Sequence, residues 1–339
     1  MMGGRPLRSA QAFATATRSA GFSGLVITET GRTAYLAAAA AALAEPGLDL
    51  ATGVAVAFPR RPMITASTAW ELAEVSGGRF RLGLGTQVRA HVERRYGSTF
   101  DPPGPRLEDY VNAVRACFRA FRGEPLAYDG RFTKLSLLPP TWSPGALDVP
   151  DPAVDIAAVG PWMLRMAGRV ADGVHVHPIN TDVYLRTTVR DQVSAGCAEA
   201  GRVADAVQLL VPCFTVVGET PEERSRWREL ARQQIAFYGS TPNYAFIFEQ
   251  VGFPETTPRV RERQKAGDVA GMTAVITDEL LDHFVVSAPW DELSDALVAR
   301  YAGVADRVIL YYGAALHDRD PDGFARLGEV ARDVVARTA

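Results

Sequence analysis

Residues 48–85, LDLATGVAVAFPRRPMITASTAWELAEVSGGRFRLGLG, constrain the fold of this chain more than any other stretch. They read as strand, turn, helix and strand. Residues 48–58 are almost all apolar or small, the pattern of a strand buried on both faces in a parallel sheet. Pro59 and Pro62 end that strand, and residues 64–75 carry apolar side chains at helical spacing. Gly77-Gly78 closes the helix, because glycine tolerates the left-handed geometry of a C-terminal cap. In the FRLGLG strand, Phe80, Leu82 and Leu84 alternate with Arg81, Gly83 and Gly85. One face is bulky and the other thins to glycine, which is expected to leave room for something flat.

The chain has 339 residues, 47% of them hydrophobic, so it can bury a large core without disulfides. A (β/α) barrel of this length is one domain, and 1–339 is expected to be a single unit. A formal net charge of -3 gives no general attraction to nucleic acid or to an anionic membrane. Cys117, Cys197 and Cys213 are far apart and form no CxxC pair, which suits free thiols in a reducing, cytoplasmic compartment. The opening MMGGRPLRSAQAF lacks the apolar core of a signal peptide. The longest soft stretch, 34–44, is too short to span a bilayer.

Residues 8–20 suit a helix ended by Gly21, 25–27 a short buried strand, and 35–44 a second helix. This alternation predicts a parallel sheet with crossover helices. A long polar loop follows at 86–105, then an amphipathic helix at 107–121 and a hairpin around AYDGRF. Further strands are expected at 154–159, 174–177, 207–217 and 307–312, with helices at 161–169, 183–200 and 324–336. Residues 220–300 read as mostly helical. Seven strands result. The eighth that a barrel needs would fall in MMGGRP, a poor strand, so it is either degenerate or missing.

Several blocks carry a resemblance. GVAVAFPRRPM, SGGRFRLGLGTQVRAHVERRYG, AAVGPWMLRMAGRVADGVHVHP and QQIAFYGSTPNY stand in the order and spacing of the luciferase-like flavin and deazaflavin oxidoreductases. More narrowly, the chain resembles the probable coenzyme F420-dependent oxidoreductases from about Gly21 onward. The resemblance implies an α/β fold, a TIM (β/α)8 barrel, whose helical insertion at about 220–300 covers the substrate pocket. It also implies a site at the C-terminal ends of the strands.

By the same resemblance, Gly53-Val54 is a bulge with a cis peptide set against the cofactor ring; close packing in a strand is the other reading of Gly53. A valine at Gly53 is expected to block the ring and spare the fold. Thr86 and His91 are expected at the ring's edge, where polar groups steady charge as hydride arrives. A solvated loop histidine is the other reading of His91. Val159-Gly160-Pro161 has its own physical meaning: Gly160 admits a ligand to the backbone, Pro161 suits a first helical turn, and free amides there attract phosphate. Arg165, one turn on, either adds charge to that site or lies on the surface.

His175 and His177 alternate, so both point to one face of their strand. A metal pair would need a third ligand, and none stands nearby in sequence; the resemblance instead puts His177 at the cofactor. Tyr238 and Tyr244 are expected to border the substrate or to pack a helix end. The segment Glu29-Thr30-Gly31-Arg32-Thr33 departs from the family, whose members tend to carry Asn or Asp followed by His there. Arg32 stays charged and can hold an anion, but it cannot serve as a general acid. Acid catalysis would then fall to Glu29, His91 or His177.

Three functions remain open at this point. The first is hydride transfer between coenzyme F420 and a small organic substrate, and the second an FMN-dependent monooxygenase on the same sites. The third is a flavin-binding barrel without turnover. A homodimer stands as an open state beside the monomer, and no nucleic-acid or membrane partner is expected.

Overall fold

The computed structural model describes residues 1–338. Helix α1 (Leu7–Ala20) ends at Gly21, whose φ of 97° is the left-handed cap geometry that glycine adopts without a clash. Then follow β1 (Gly24–Ile27), α2 (Ala34–Ala44), β2 (Asp49–Thr52), β3 (Ala55–Val56), α3 (Pro62–Val75) and β4 (Phe80–Gly85). Helix α4 (Pro103–Phe121) leads through the expected hairpin, β5 (Tyr128–Asp129) and β6 (Lys134–Leu135), to β7 (Ala153–Ala158). Next come α5 (Pro161–Val170), β8 (Gly173–Val176), α6 (Arg190–Glu199) and β9 (Gln208–Val217). The last third holds α7 (Pro221–Gly239), α8 (Ala245–Glu249), α9 (Thr256–Lys265), α10 (Val269–Ala274), α11 (Asp278–Asp282), β10 (Val285–Ala288) and α12 (Leu293–Tyr301). It ends in β11 (Arg307–Leu310), α13 (Gly313–Arg319) and α14 (Pro321–Thr338).

The strands β1, β2, β4, β7, β8 and β9 pair in parallel in that order, the TIM-barrel-like arrangement that alternating strands and helices dictate. Of the remaining parallel strands, β3 pairs with β4, and β10 and β11 both pair with β9. β11 takes its first half, with Arg307 opposite Leu210, and β10 its second half, with Val285 opposite Phe214. β10 adds a strand that the sequence reading of 220–300 as mostly helical did not include. It is only four residues long and flanked by helical segments, so its apolar run gives no period of its own.

Met1 and Met2 stand between β1 and β11. Met2 forms a parallel bridge with Ile27, and the Met1 ammonium donates to Leu310 O at 3.0 Å. Burial, with Arg5 nearby, lowers that ammonium's pKa to about 5. The first barrel strand is therefore degenerate, reduced to this one bridge. Further along the same gap lies a cavity of about 1050 Å³, bordered by Phe13, Gly24, Leu25, Ile309 and Phe324.

Phe80, Leu82 and Leu84 face the helices and are fully buried, while Arg81, Gly83 and Gly85 face the barrel interior. Trp70 of α3 stacks on Phe118 of α4 at 5.5 Å and meets Phe121 edge-on, and each such buried ring contributes about 2–3 kcal/mol. Two expectations for 48–85 change here. The strand at 48–58 is broken after Thr52, because Gly53-Val54 is a cis peptide between β2 and β3. The glycine face of β4 is also filled: His175 and Thr52 occupy the space at Gly83, and Val54 the space at Gly85. No helix among the described residues is long and apolar enough to cross a membrane.

Candidate active site

The C-terminal rim of the strands gathers most of the residues singled out above. Glu29 follows β1, and its side chain is 5% exposed. One carboxylate oxygen accepts from the Val56 amide at 2.7 Å and from Arg60 Nη1 at 2.9 Å, and the other faces Arg60 Nη2. Both oxygens are engaged, so Glu29 clamps β3 to the turn before α3. It holds a shape, a structural engagement that its reading as an acid candidate did not include. Arg60 also lies over the Tyr35 ring, 4.9 Å from its centroid.

The Gly53 amide donates to Ile27 O at 2.8 Å, and Thr52 Oγ1 both donates to Gly83 O and accepts from Gly83 N–H. These bonds fix the Gly53-Val54 peptide as a shelf between β1 and β4. Thr86 follows β4 at the same rim and is half-buried. Gln87 then takes a φ of 57°, rare for a residue with a side chain, and turns the chain sharply away. His91 lies beyond that turn, exposed on the short helical turn His91–Arg95. Among the described residues its side chain makes no hydrogen bond to Thr86 or to the shelf. Arg32 is likewise exposed, on the turn before α2.

At the end of β7, Gly160 is the N-cap of α5, and no side chain caps that helix. A Cβ built on Gly160 would meet nothing within 4 Å, so the backbone is open to a ligand. The Trp162 and Met163 amides belong to the first turn, where intrahelical partners are absent. Tyr184 Oη donates to Val159 O at 2.7 Å and fixes the approach to the helix. Arg165 is committed elsewhere, to Gln192 at 2.9 Å and to Glu199.

His177 stands just past β8, with Tyr238 edge-on at 4.6 Å and Tyr244 at 4.4 Å. Its Nδ1 accepts from the Ile179 amide at 3.2 Å, which leaves the proton of the neutral ring on Nε2. Burial pushes its pKa down to about 3. His177 can therefore donate a hydrogen bond, but near neutral pH it holds no second proton to give. Burial raises the phenol pKa of both Tyr238 and Tyr244, so the wall around His177 carries no charge. Among the described residues, no group of three or more His, Cys, Asp or Glu is placed to hold a metal.

The sequence reading missed part of this wall. Tyr311 and Tyr312 follow β11; Tyr311 Oη lies 3.0 Å from Tyr238 Oη, and Tyr312 packs against Trp227. The rule that sites follow barrel strands applies to RVILYY as well, and it would have found them. Asn180 was also missed. Its Nδ2 donates to His177 O at 3.0 Å and to Pro212 O at 2.8 Å, holding the loop that carries His177.

The family model for luciferase-like monooxygenases matches residues 1–307. An uncharacterized protein of Mycobacterium tuberculosis is 37% identical over 303 residues, which cover 89% of each chain. The 5,10-methylenetetrahydromethanopterin reductase of Archaeoglobus fulgidus is 29% identical over 260 residues, covering 74% of this chain and 72% of the reductase. The solved coenzyme F420-dependent tetrahydromethanopterin reductase of Methanopyrus kandleri shares the fold with a TM-score of 0.78 at 19% identity, covering 99% of this chain and 96% of the other. The shelf at Gly53-Val54, the uncapped helix at Gly160 and the length of these matches agree: the chain belongs to the luciferase-like monooxygenase family.

Proposed function

We propose that this protein is an oxidoreductase that transfers a hydride between coenzyme F420 and a small organic substrate. The observation that carries the reading is the pairing, at one rim, of the hydrogen-bonded Gly53-Val54 shelf with the open, uncapped start of α5 at Gly160. The two suit a flat ring joined to a phosphate. The likeness to tetrahydromethanopterin reductases, one of them described as F420-dependent, supports the deazaflavin over other flavins.

When bound, the deazaflavin supplies two-electron hydride chemistry at its central ring carbon. The chain's own residues supply the rest. Gly53 and Val54 would bear the ring's face and Thr86 its edge, while Gly160 and the Trp162 and Met163 amides would hold the phosphate. His177 would offer its Nε2–H to a substrate oxygen or nitrogen, orienting the bond to be reduced. Tyr238 and Tyr244 would exclude water around it, and Arg32 would meet an anionic part of the substrate at the mouth. His91 has no role in this arrangement.

Titration of the purified protein with F420 and with FMN tests the reading. Submicromolar F420 binding with little FMN binding is the expected result. The reverse preference, with oxygen-dependent turnover, would instead favour the FMN monooxygenase reading that the family name allows. Binding of either without reduction of any carbonyl, imine or alkene substrate would point to a barrel without turnover.

A further inference from the structure

One buried side chain beneath the rim takes no part in this arrangement. His175, 6% exposed, points inward from β8, one layer below His177. Its imidazole lies where two side chains are missing. A Cβ on Gly53 would come within 3.2 Å of Cε1 and 3.3 Å of Nδ1, and a Cβ on Gly83 would strike Nε2 at 2.6 Å. The ring is thus wedged between the shelf and the middle of β4.

The polar side of this ring is unsatisfied. Nε2 is buried without a hydrogen-bond partner among the described residues. Asp155 Oδ2 is 3.7 Å away, beyond hydrogen-bond reach, and both Asp155 oxygens are taken by Arg81 at 2.8 and 2.6 Å. Buried polar atoms in a native core are normally paired, and an exception calls for a reason. An aliphatic residue would fill space without that penalty. A flat, stiff ring is what fits between two glycine faces and bears on both.

We propose that His175 is a positioning residue: wedged between Gly53 and Gly83, it holds the Gly53-Val54 peptide at a fixed height and so sets the floor for the cofactor ring. The last part rests on the cofactor placement proposed above, whereas the hold on the shelf does not. Thr52 and the Gly53–Ile27 bond fix the shelf sideways, along the sheet. Val26 Cγ1 also borders Gly53 from β1, and the imidazole supports the shelf from the side of β8.

Amide hydrogen exchange in the cofactor-free protein reads that support directly. In H175A, exchange at the Gly53 and Gly83 amides should rise about tenfold or more, with α4 and β9 unchanged. In H175Q, whose side chain can enter the same slot, protection should return. Titration with F420 should follow: about tenfold weaker binding and a shifted bound-ring absorption band in H175A, and near wild-type behaviour in H175Q. Unchanged Gly53 and Gly83 exchange in H175A would overturn the proposal. So would a loss of protection spread evenly over the barrel and not restored in H175Q. If H175A does not fold, H175N takes its place, since its shorter side chain cannot reach Gly83. A wild-type protein that binds neither F420 nor FMN would remove the cofactor reading and leave the exchange result to decide the role of His175.

Discussion

The hydroxyls of Tyr238 and Tyr311 meet at 3.0 Å, one borne on the last turn of α7 and the other on the residue that follows β11. Through them the inserted helices are tied to the barrel beside His177. Y238F removes one hydroxyl and leaves its partner half-buried and unpaired. A loss of about 1 kcal/mol is expected, along with faster cleavage of the 239–258 segment in limited proteolysis. Wild-type stability and an unchanged cleavage pattern would show that the contact ties nothing.

The clamp at Glu29 predicts a stability defect in place of a catalytic one. E29Q leaves the Arg60 guanidinium, 25% exposed, without its charge partner and weakens the bond to the Val56 amide. Because Arg60 keeps some contact with solvent, the expected loss is about 2–3 kcal/mol and not the full penalty of a buried pair. Denaturant unfolding measures it. A variant of wild-type stability whose turnover had lost its acidic limb would restore Glu29 as the acid.

The two inward histidines predict acid sensitivity. Burial lowers the pKa of His177 from 6.5 to about 3 and lowers that of His175 as well. Between those values the unfolded chain binds protons that the folded chain refuses, so stability rises with pH through that window. It is fully present above about 6.5 and is lost as pH falls towards 3. Thermal unfolding from pH 7.5 down to 5 should show a falling Tm, with a shallower fall in H177N. A turnover profile whose inflection between pH 6 and 7 disappears in H177N would contradict the neutral ring.

Gly53 and Gly160 separate fold from site. A Cβ at Gly53 would lie 2.2 Å from Val26 Cγ1, so G53V should cost about 1–3 kcal/mol or more through overpacking. That revises the expectation that valine there would spare the fold. At Gly160 the same atom meets only open space, and the backbone is already extended, with φ -75° and ψ 158°. G160V should keep its stability within about 1 kcal/mol and lose F420 affinity by an order of magnitude. Equal F420 binding by G160V and wild type would move the phosphate elsewhere.

Strands with strong apolar runs, such as β4 and β9, and helices with capping glycines, such as α1, were legible because local pattern and tertiary role agree there. β10 was not: four residues between helical segments give periodicity nothing to act on. Gly53, Gly160 and His177 could be put forward because they sit where strands end. Their chemistry could not, because it depends on partners remote in sequence. Arg60 grips Glu29, the Ile179 amide sets the His177 tautomer, and His175 fills the space beside the glycines of FRLGLG.

Met1 and Met2, set between β1 and β11, make the N-terminus part of the wall. Residues placed ahead of Met1 would have to run out past β1 and β11, beside the adjoining cavity. The C-terminal helix α14 ends in a row of exposed residues, with no such duty. For this protein, the end chosen for a handle decides whether a seam of the barrel is left intact or pried open.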